Sequence, residues 1–297
     1  MPRHNIAAYA ALCASVLFWG LSFTATKVAL THLAPFTILF LRFALACSVL
    51  VPVAAAGRLR GLGLADHARI FGISILFPGC YFALETFALR LTSATSASLI
   101  SAAIPMAVLA LCAAVARERP PLRNVLGVAA SLAGVCLLVG LRGGAGSPMN
   151  SGDALMLGAV ASAAAYMVAA SRLCRSVSPL ALTTLQMFWG TLFFLPFFLA
   201  DLPEWGLVPA APLLAVASLG LFATVGAFLA YNFALSRVPA QTASLFINAV
   251  PVVAVFGAHL ALNESVAVTQ LAGGAMILAS VYATASRPAR ERVSNTS

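Results

Sequence analysis

The sequence predicts an all-α polytopic membrane protein: ten transmembrane helices arranged as two inverted five-helix repeats. An apolar composition, a train of ten apolar runs and a sequence echo at an offset near 146 residues predict it. The 297 residues are 62% hydrophobic and 8% charged, with a mean hydropathy of +1.00. An ordinary soluble domain carries roughly 25% charged residues. This chain lacks the polar side chains to cover a water-facing surface. A soluble enzyme, a secreted disulfide scaffold and a disordered binder are thereby excluded. Roughly 20 apolar residues cross a bilayer as a helix, so ten spans take up roughly 200 and leave short loops.

The first run, 6–30, follows Arg3 as a signal peptide would. It is too long for a signal h-region, contains Trp19 and Lys27, and lacks a small-residue cleavage site, so it reads as an uncleaved span. The second, 35–56, opens at Pro35 and stops at Gly57-Arg58-Leu59-Arg60-Gly61; the third and fourth, 69–89 and 92–116, end before Arg119-Pro120-Pro121. The fifth, 123–141, runs into the glycine-rich stretch from Gly143 to Pro148. The sixth and seventh, 152–174 and 179–199, close at Asp201-Leu202-Pro203-Glu204; the eighth, ninth and tenth cover 210–234, 240–262 and 266–285. These runs are uniformly apolar rather than alternating, which selects helices over barrel strands. The six cysteines lie in or beside apolar runs without C-x-x-C pairing and read as small apolar residues, with no metal site.

Charge placement sets direction. The net charge is +9, yet the basic residues sit between apolar runs, where they orient spans rather than bind nucleic acid. With ten spans and a cytoplasmic N-terminus, thirteen of the 17 Lys and Arg fall on the inner side. Lys27, Arg90 and Arg142 fall outside and Arg42 lies within a span. The expected topology is multi-pass, with both termini cytoplasmic.

The echo is ordered. Ala88-Leu89 recurs as Ala234-Leu235, Ala97-Ser98-Leu99 as Ala243-Ser244-Leu245, Ala103-x-Pro105 as Ala249-x-Pro251, Glu118 as Glu264 and Gly127-x-Ala129 as Gly273-x-Ala275. Upstream the offset is 144, matching Pro35 to Pro179 and Pro52 to Pro196. The expected units are a first five-helix repeat at 1–145, a second at 146–287 and a cytoplasmic tail at 288–297. An odd number of spans per repeat inverts the second copy. Inverted repeats recur in secondary transporters, with the solute held near the midplane.

At this point the chain resembles a known family. Phe18-Trp19-Gly20-x-Ser22-Phe23-x-x-x-Lys27, Arg42-Phe43 and the Ala88-Leu89…Ala97-Ser98-Leu99…Pro105…Glu118 series with its echo carry the likeness. It resembles the EamA-type, ten-span branch of the drug/metabolite transporter superfamily over nearly its whole length. The resemblance implies secondary export of small metabolites, often amino acids or toxic compounds, across a bacterial inner membrane. Some members import or carry lipid-linked sugars, which leaves direction open.

Ionisable residues inside spans are costly and therefore candidates. Lys27, Arg42 and Glu85 all fall within roughly 10 Å of the outer edge at 1.5 Å rise per residue. They are either an outward-side polar gate or, read structurally, an Arg42–Glu85 pair and a snorkelling Lys27. In the repeat, Arg42 corresponds to Gln186 and Glu85 to Tyr231, beside Asn232, so the outer gate is expected to seal by ion pairing and the inner by hydrogen bonds. Trp19, Phe23, Tyr81, Tyr166 and Trp189 lie deep enough to line a cavity, with Trp19 and Tyr166 near-equivalent, or simply pack. Ser22, Ser98, Ser244 and Asn248 bond either a solute or a neighbouring helix. Pro105 and Pro251 fall mid-span at matching places as helix kinks, either hinges or static bends. His259 reads as a packing residue, and Glu118 and Glu264 as local caps.

No nucleophile–base pair, metal cluster or G-x-S-x-G motif marks an enzyme, and no Walker motif marks direct ATP driving. The expected partners are a small-molecule substrate, membrane lipid and, as coupling ion, protons. No cofactor is expected. The energy source is either the proton gradient or the solute's own gradient.

Overall fold

The computed structural model describes residues 3–55, 62–91, 97, 100–116, 122–139, 151–174, 176–203, 208–262 and 268–285. Ser98, Glu118, Glu264, Arg58, Arg60, Arg142 and the tail at 288–297 lie outside the described residues, as does the side chain of His259.

Every described element is a helix: α1 (Arg3–Ala29), α2 (Pro35–Ala55), α3 (Leu64–Leu91), α4 (Ile104–Ala116), α5 (Leu122–Val139), α6 (Ser151–Leu173), α7 (Pro179–Ala200), α8 (Ala210–Leu235), α9 (Ala240–Ile247), α10 (Val250–Leu262) and α11 (Val268–Ala285). Six of them, α1, α2, α3, α6, α7 and α8, are long and apolar enough to cross a membrane, and shorter apolar helices accompany them. Large apolar side chains face outward, Leu214 at 69% and Phe222 at 55% exposure, as an environment of lipid tails permits. α3 starts at Leu64, ahead of the apolar run at 69. Gly63 caps it in an extended conformation, its N–H reaching the Asp66 carboxylate, and Asp66 pairs with Arg69 at 3.5 Å. That polar first turn is invisible to a hydropathy window.

Two kinds of irregularity recur at matching positions in the two halves. The ninth apolar run is broken between α9 and α10 by a turn at Asn248–Ala249, and the first half turns at Ala102–Ala103. Ala103 N–H donates to Ile100 at 3.0 Å and Ala249 N–H to Phe246 at 2.9 Å, the same bond 146 residues apart. The prolines explain both. Pro105 and Pro251 offer no N–H to Ser101 and Ile247, and their rings press on those carbonyls, so the helix lets go in the turn between.

The second irregularity lies inside α3 and α8, where π-helical segments span Ile75–Cys80 and Leu219–Gly226. In α3 the residue before Pro78 is forced out of helical geometry: Phe77 sits at φ −147°, ψ 108°. In α8 no proline is involved. The Thr224 hydroxyl inserts into the ladder and donates to the Leu219 carbonyl at 2.8 Å.

Among the described residues, the most extensive helix contacts all run between the halves: α5 with α11, α2 with α7, α3 with α6, α1 with α8 and α1 with α10. α2 and α7 hold matching places in the sequence and pack antiparallel: Phe36 meets Phe197 at 4.6 Å between ring centroids, while Phe43, farther along α2, meets Phe194 and lies against Gly190, farther back on α7. α5 and α11 approach through small residues. A Cβ on Gly134 would stand 2.9 Å from the carbonyl oxygen of Gly273. With lipid as apolar as leucine, such close van der Waals packing, rather than a hydrophobic drive, holds helices together in a membrane.

Candidate functional site

Where the halves interlock they leave a narrow cavity of about 40 Å³. α1 contributes Trp19, Ser22 and Phe23; α3 contributes Phe77, Tyr81, Phe82 and Glu85; α6 contributes Ala163 and Met167. The remaining wall comes from the two helix breaks: Ser101 and Ile104 on one side, Ile247 and Val250 at the matching positions on the other. The cavity is therefore walled in part by matching positions of the two halves. Its volume admits a few waters. Its walls are aromatic, with Phe77 4.4 Å from Tyr81 and 5.1 Å from Phe82, and among the described residues they carry one carboxyl group, Glu85, which accepts a hydrogen bond from the Tyr81 hydroxyl at 2.8 Å.

Around this cavity each half reaches into the irregular helix of the other. A π segment frees backbone carbonyls, which need partners where no water reaches. Gln186 of α7 donates to the Phe77 carbonyl at 3.2 Å and Ser162 of α6 to that of Leu76 at 2.7 Å. In the opposite sense, Trp19 donates to the Ala223 carbonyl at 3.1 Å and Ser15 to that of Ala227 at 3.0 Å. Phe77 and Ala223 are the same position in the two halves. Arg42, at the place of Gln186, donates through Nε to Thr224 Oγ1 at 2.9 Å.

This architecture has a counterpart among known sequences. The profile of the EamA-like transporter family matches residues 6–140 and again residues 150–286. The chain belongs to the EamA-like transporter family, within the drug/metabolite transporter superfamily. It is a multi-pass membrane transporter. An uncharacterized transporter of Archaeoglobus fulgidus is 27% identical over 91% of this chain and 96% of its own. A protein of Salmonella typhimurium named "Probable amino-acid metabolite efflux pump" is 26% identical over 90% of this chain and 91% of its own. A solved structure titled "Crystal structure of protein" shares the fold, with a TM-score of 0.75 at 22% identity over 93% of this chain and 95% of that one.

Of the residues singled out in the sequence, Trp19, Ser22, Phe23, Tyr81 and Glu85 line the cavity of this EamA-like transporter. Tyr166, Gln186 and Asn232 do not. They form a closed buried network instead: the Tyr166 hydroxyl donates to Asn232 Oδ1 at 2.8 Å, and Asn232 Nδ2 donates to Thr183 and Gln186 at 3.0 and 2.9 Å. Tyr231 packs on Trp19, with ring centroids 5.1 Å apart. Asn248 is buried in the turn between α9 and α10. Lys27 is exposed and donates from Nζ to the Leu89 carbonyl at 2.9 Å, closing the C-terminal end of α3, where a cation also suits the helix dipole. The expected ion pair between Arg42 and Glu85 does not form. Arg42 lies with Cζ 4.3 Å from the Phe82 ring centroid, is 2% exposed, and leaves Nη2 without a partner. The ring stands where the carboxylate was expected.

Sequence reasoning missed Phe77, Phe82, Met167 and Thr224. Phe77 was findable as the residue before Pro78. The others carry no local signal, because their roles come from contacts with other helices.

Proposed function

We propose that this transporter exports a small metabolite, an amino acid, a related compound or a drug-like solute, by alternating access across a bacterial inner membrane. The observation that carries the reading is the position of the cavity: its walls include matching residues from the two proline-broken helices, Ser101 and Ile104 against Ile247 and Val250. A site built from both halves opens to one side when one break flexes and to the other when its counterpart does. Antiparallel packing of α2 on α7 supports two inverted five-helix repeats at 1–145 and 146–287, together ten spans, with a tail at 288–297. The arginine bias supports both termini in the cytoplasm. The similarity to a protein named as an efflux pump supports export. At about 40 Å³ the cavity is smaller than a metabolite, so on this reading the helices part before a solute is held.

The test is metabolite profiling of medium from cells with and without the protein, followed by flux of the enriched compound in vesicles. A compound that accumulates outside only when the protein is present supports export. Depletion of a compound from the medium instead would reverse the direction.

A further inference from the structure

We infer that the cavity takes the ammonium group of an organic amine, with Glu85 as its counter-charge and the faces of Phe77, Tyr81 and Phe82 as its wall. The inference rests on the transport reading above and narrows its substrate class.

Two observations converge. The first is the charge of the lining. Glu85 contributes a carboxyl group, and no basic side chain lines the cavity among the described residues. Arg42 is held away: Phe82 covers its guanidinium at 4.3 Å and its Nε is committed to Thr224. The second is the aromatic wall. Phe77, Tyr81 and Phe82 pack ring on ring, with centroids 4.4 to 5.1 Å apart, and present π faces beside the carboxyl group. Aromatic faces attract an ammonium, and more strongly when water is excluded.

Both favour a cation over an anion. A solute bearing a carboxylate would meet the Glu85 carboxyl group with no basic side chain among the described lining residues, so the site discriminates by repulsion as well as attraction. The cavity's 40 Å³ matches a head group, and the apolar body is accommodated once the helices part.

The experiment uses the purified full chain and three probes that share one phenyl ring: phenethylamine, 3-phenylpropanoate and phenylalanine. Calorimetric binding and vesicle flux are measured for each. The expected result is binding of the amine about tenfold or more tighter than either other probe, and a similar loss in Glu85→Gln, the scale of a hydrogen bond to a charged group. Glu85→Asp, which keeps the charge, is expected to keep the preference for the amine. Failure of the amine to bind, equal binding of the acid or the amino acid, or a folded Glu85→Asp without the preference overturns the ammonium site. So does wild-type affinity in Glu85→Gln. Amine binding without amine flux would keep the site and remove the export reading. Flux of phenylalanine alone would do the reverse.

Discussion

Arg42 and Gln186 show how one position can be used twice with different chemistry. Each lies seven residues after a matching proline and each reaches into the π segment of the opposite half. Gln186 is fully engaged, with its Nε2 on Phe77 and its Oε1 receiving Asn232. Arg42 is not, since Nη2 has no partner. A buried charge with an unmet donor contributes little to stability, whereas breaking a satisfied network strands its members. Arg42→Gln is therefore expected to unfold within about 1 kcal/mol of the wild type. Gln186→Leu, which strips the Phe77 carbonyl of its donor, is expected to lose about 2 kcal/mol or more. Thermal unfolding in detergent compares the two, and the reverse order would contradict this account of the pair. The correspondence of Arg42 with Gln186 was legible in the sequence, through the offset. Their partners were not. Thr224 and Phe77 lie in the other half, and no spacing rule connects residues across that distance. A different reason defeated the expected Arg42–Glu85 ion pair: opposite charges at similar depth suggested it, but depth says nothing of the Phe82 ring lying against the guanidinium.

Among the elements, the proline breaks were legible because the cause sits in the sequence. Pro105 and Pro251 remove a donor, and both helices turn two or three residues earlier. The π segment of α3 has a visible cause in Pro78, while that of α8 depends on a threonine bonding to its own ladder, a pattern too common to flag. Alanine at Pro105 or Pro251 restores the missing N–H. Such a variant is expected to fold normally while transport slows, because a continuous helix flexes less readily than a broken one. Transport rate measured beside melting temperature checks this, and unchanged transport in both variants would make the breaks static. Helix proximity offers a second prediction. Gly20 on α1 lies so close to Val253 on α10 that an added Cβ would overlap the valine side chain. Gly20→Ala is expected to cost about 1–3 kcal/mol by overpacking, partly restored when Val253→Ala is added. Equal stability of the single and double variants would show that the contact is not tight.

The whole molecule is two halves that share one interior. The sequence made the duplication plain, since echoes in order need no structure to be seen. It did not show that the halves interdigitate: the strongest packing runs across, α5 on α11 and α2 on α7, rather than within either repeat. Composition and periodicity report which faces are apolar, and in lipid nearly every face is. The antiparallel arrangement is testable by crosslinking. In a background without other cysteines, Phe40→Cys with Phe198→Cys, whose rings lie 4.3 Å apart between centroids, is expected to form a disulfide, and Phe40→Cys with Thr184→Cys, the pairing a parallel arrangement would favour, is not. Gel mobility before and after reduction reads the result.

The pairing of α5 with α11 bears on how such a chain is made. A ribosome delivers helices in order, and α5 enters the bilayer half a chain before the helix that covers its glycine face. Until α11 arrives, that groove holds lipid or a borrowed neighbour. Any truncation ahead of Val268 leaves it open for good, so a shortened product is a target for membrane proteases rather than a weaker transporter.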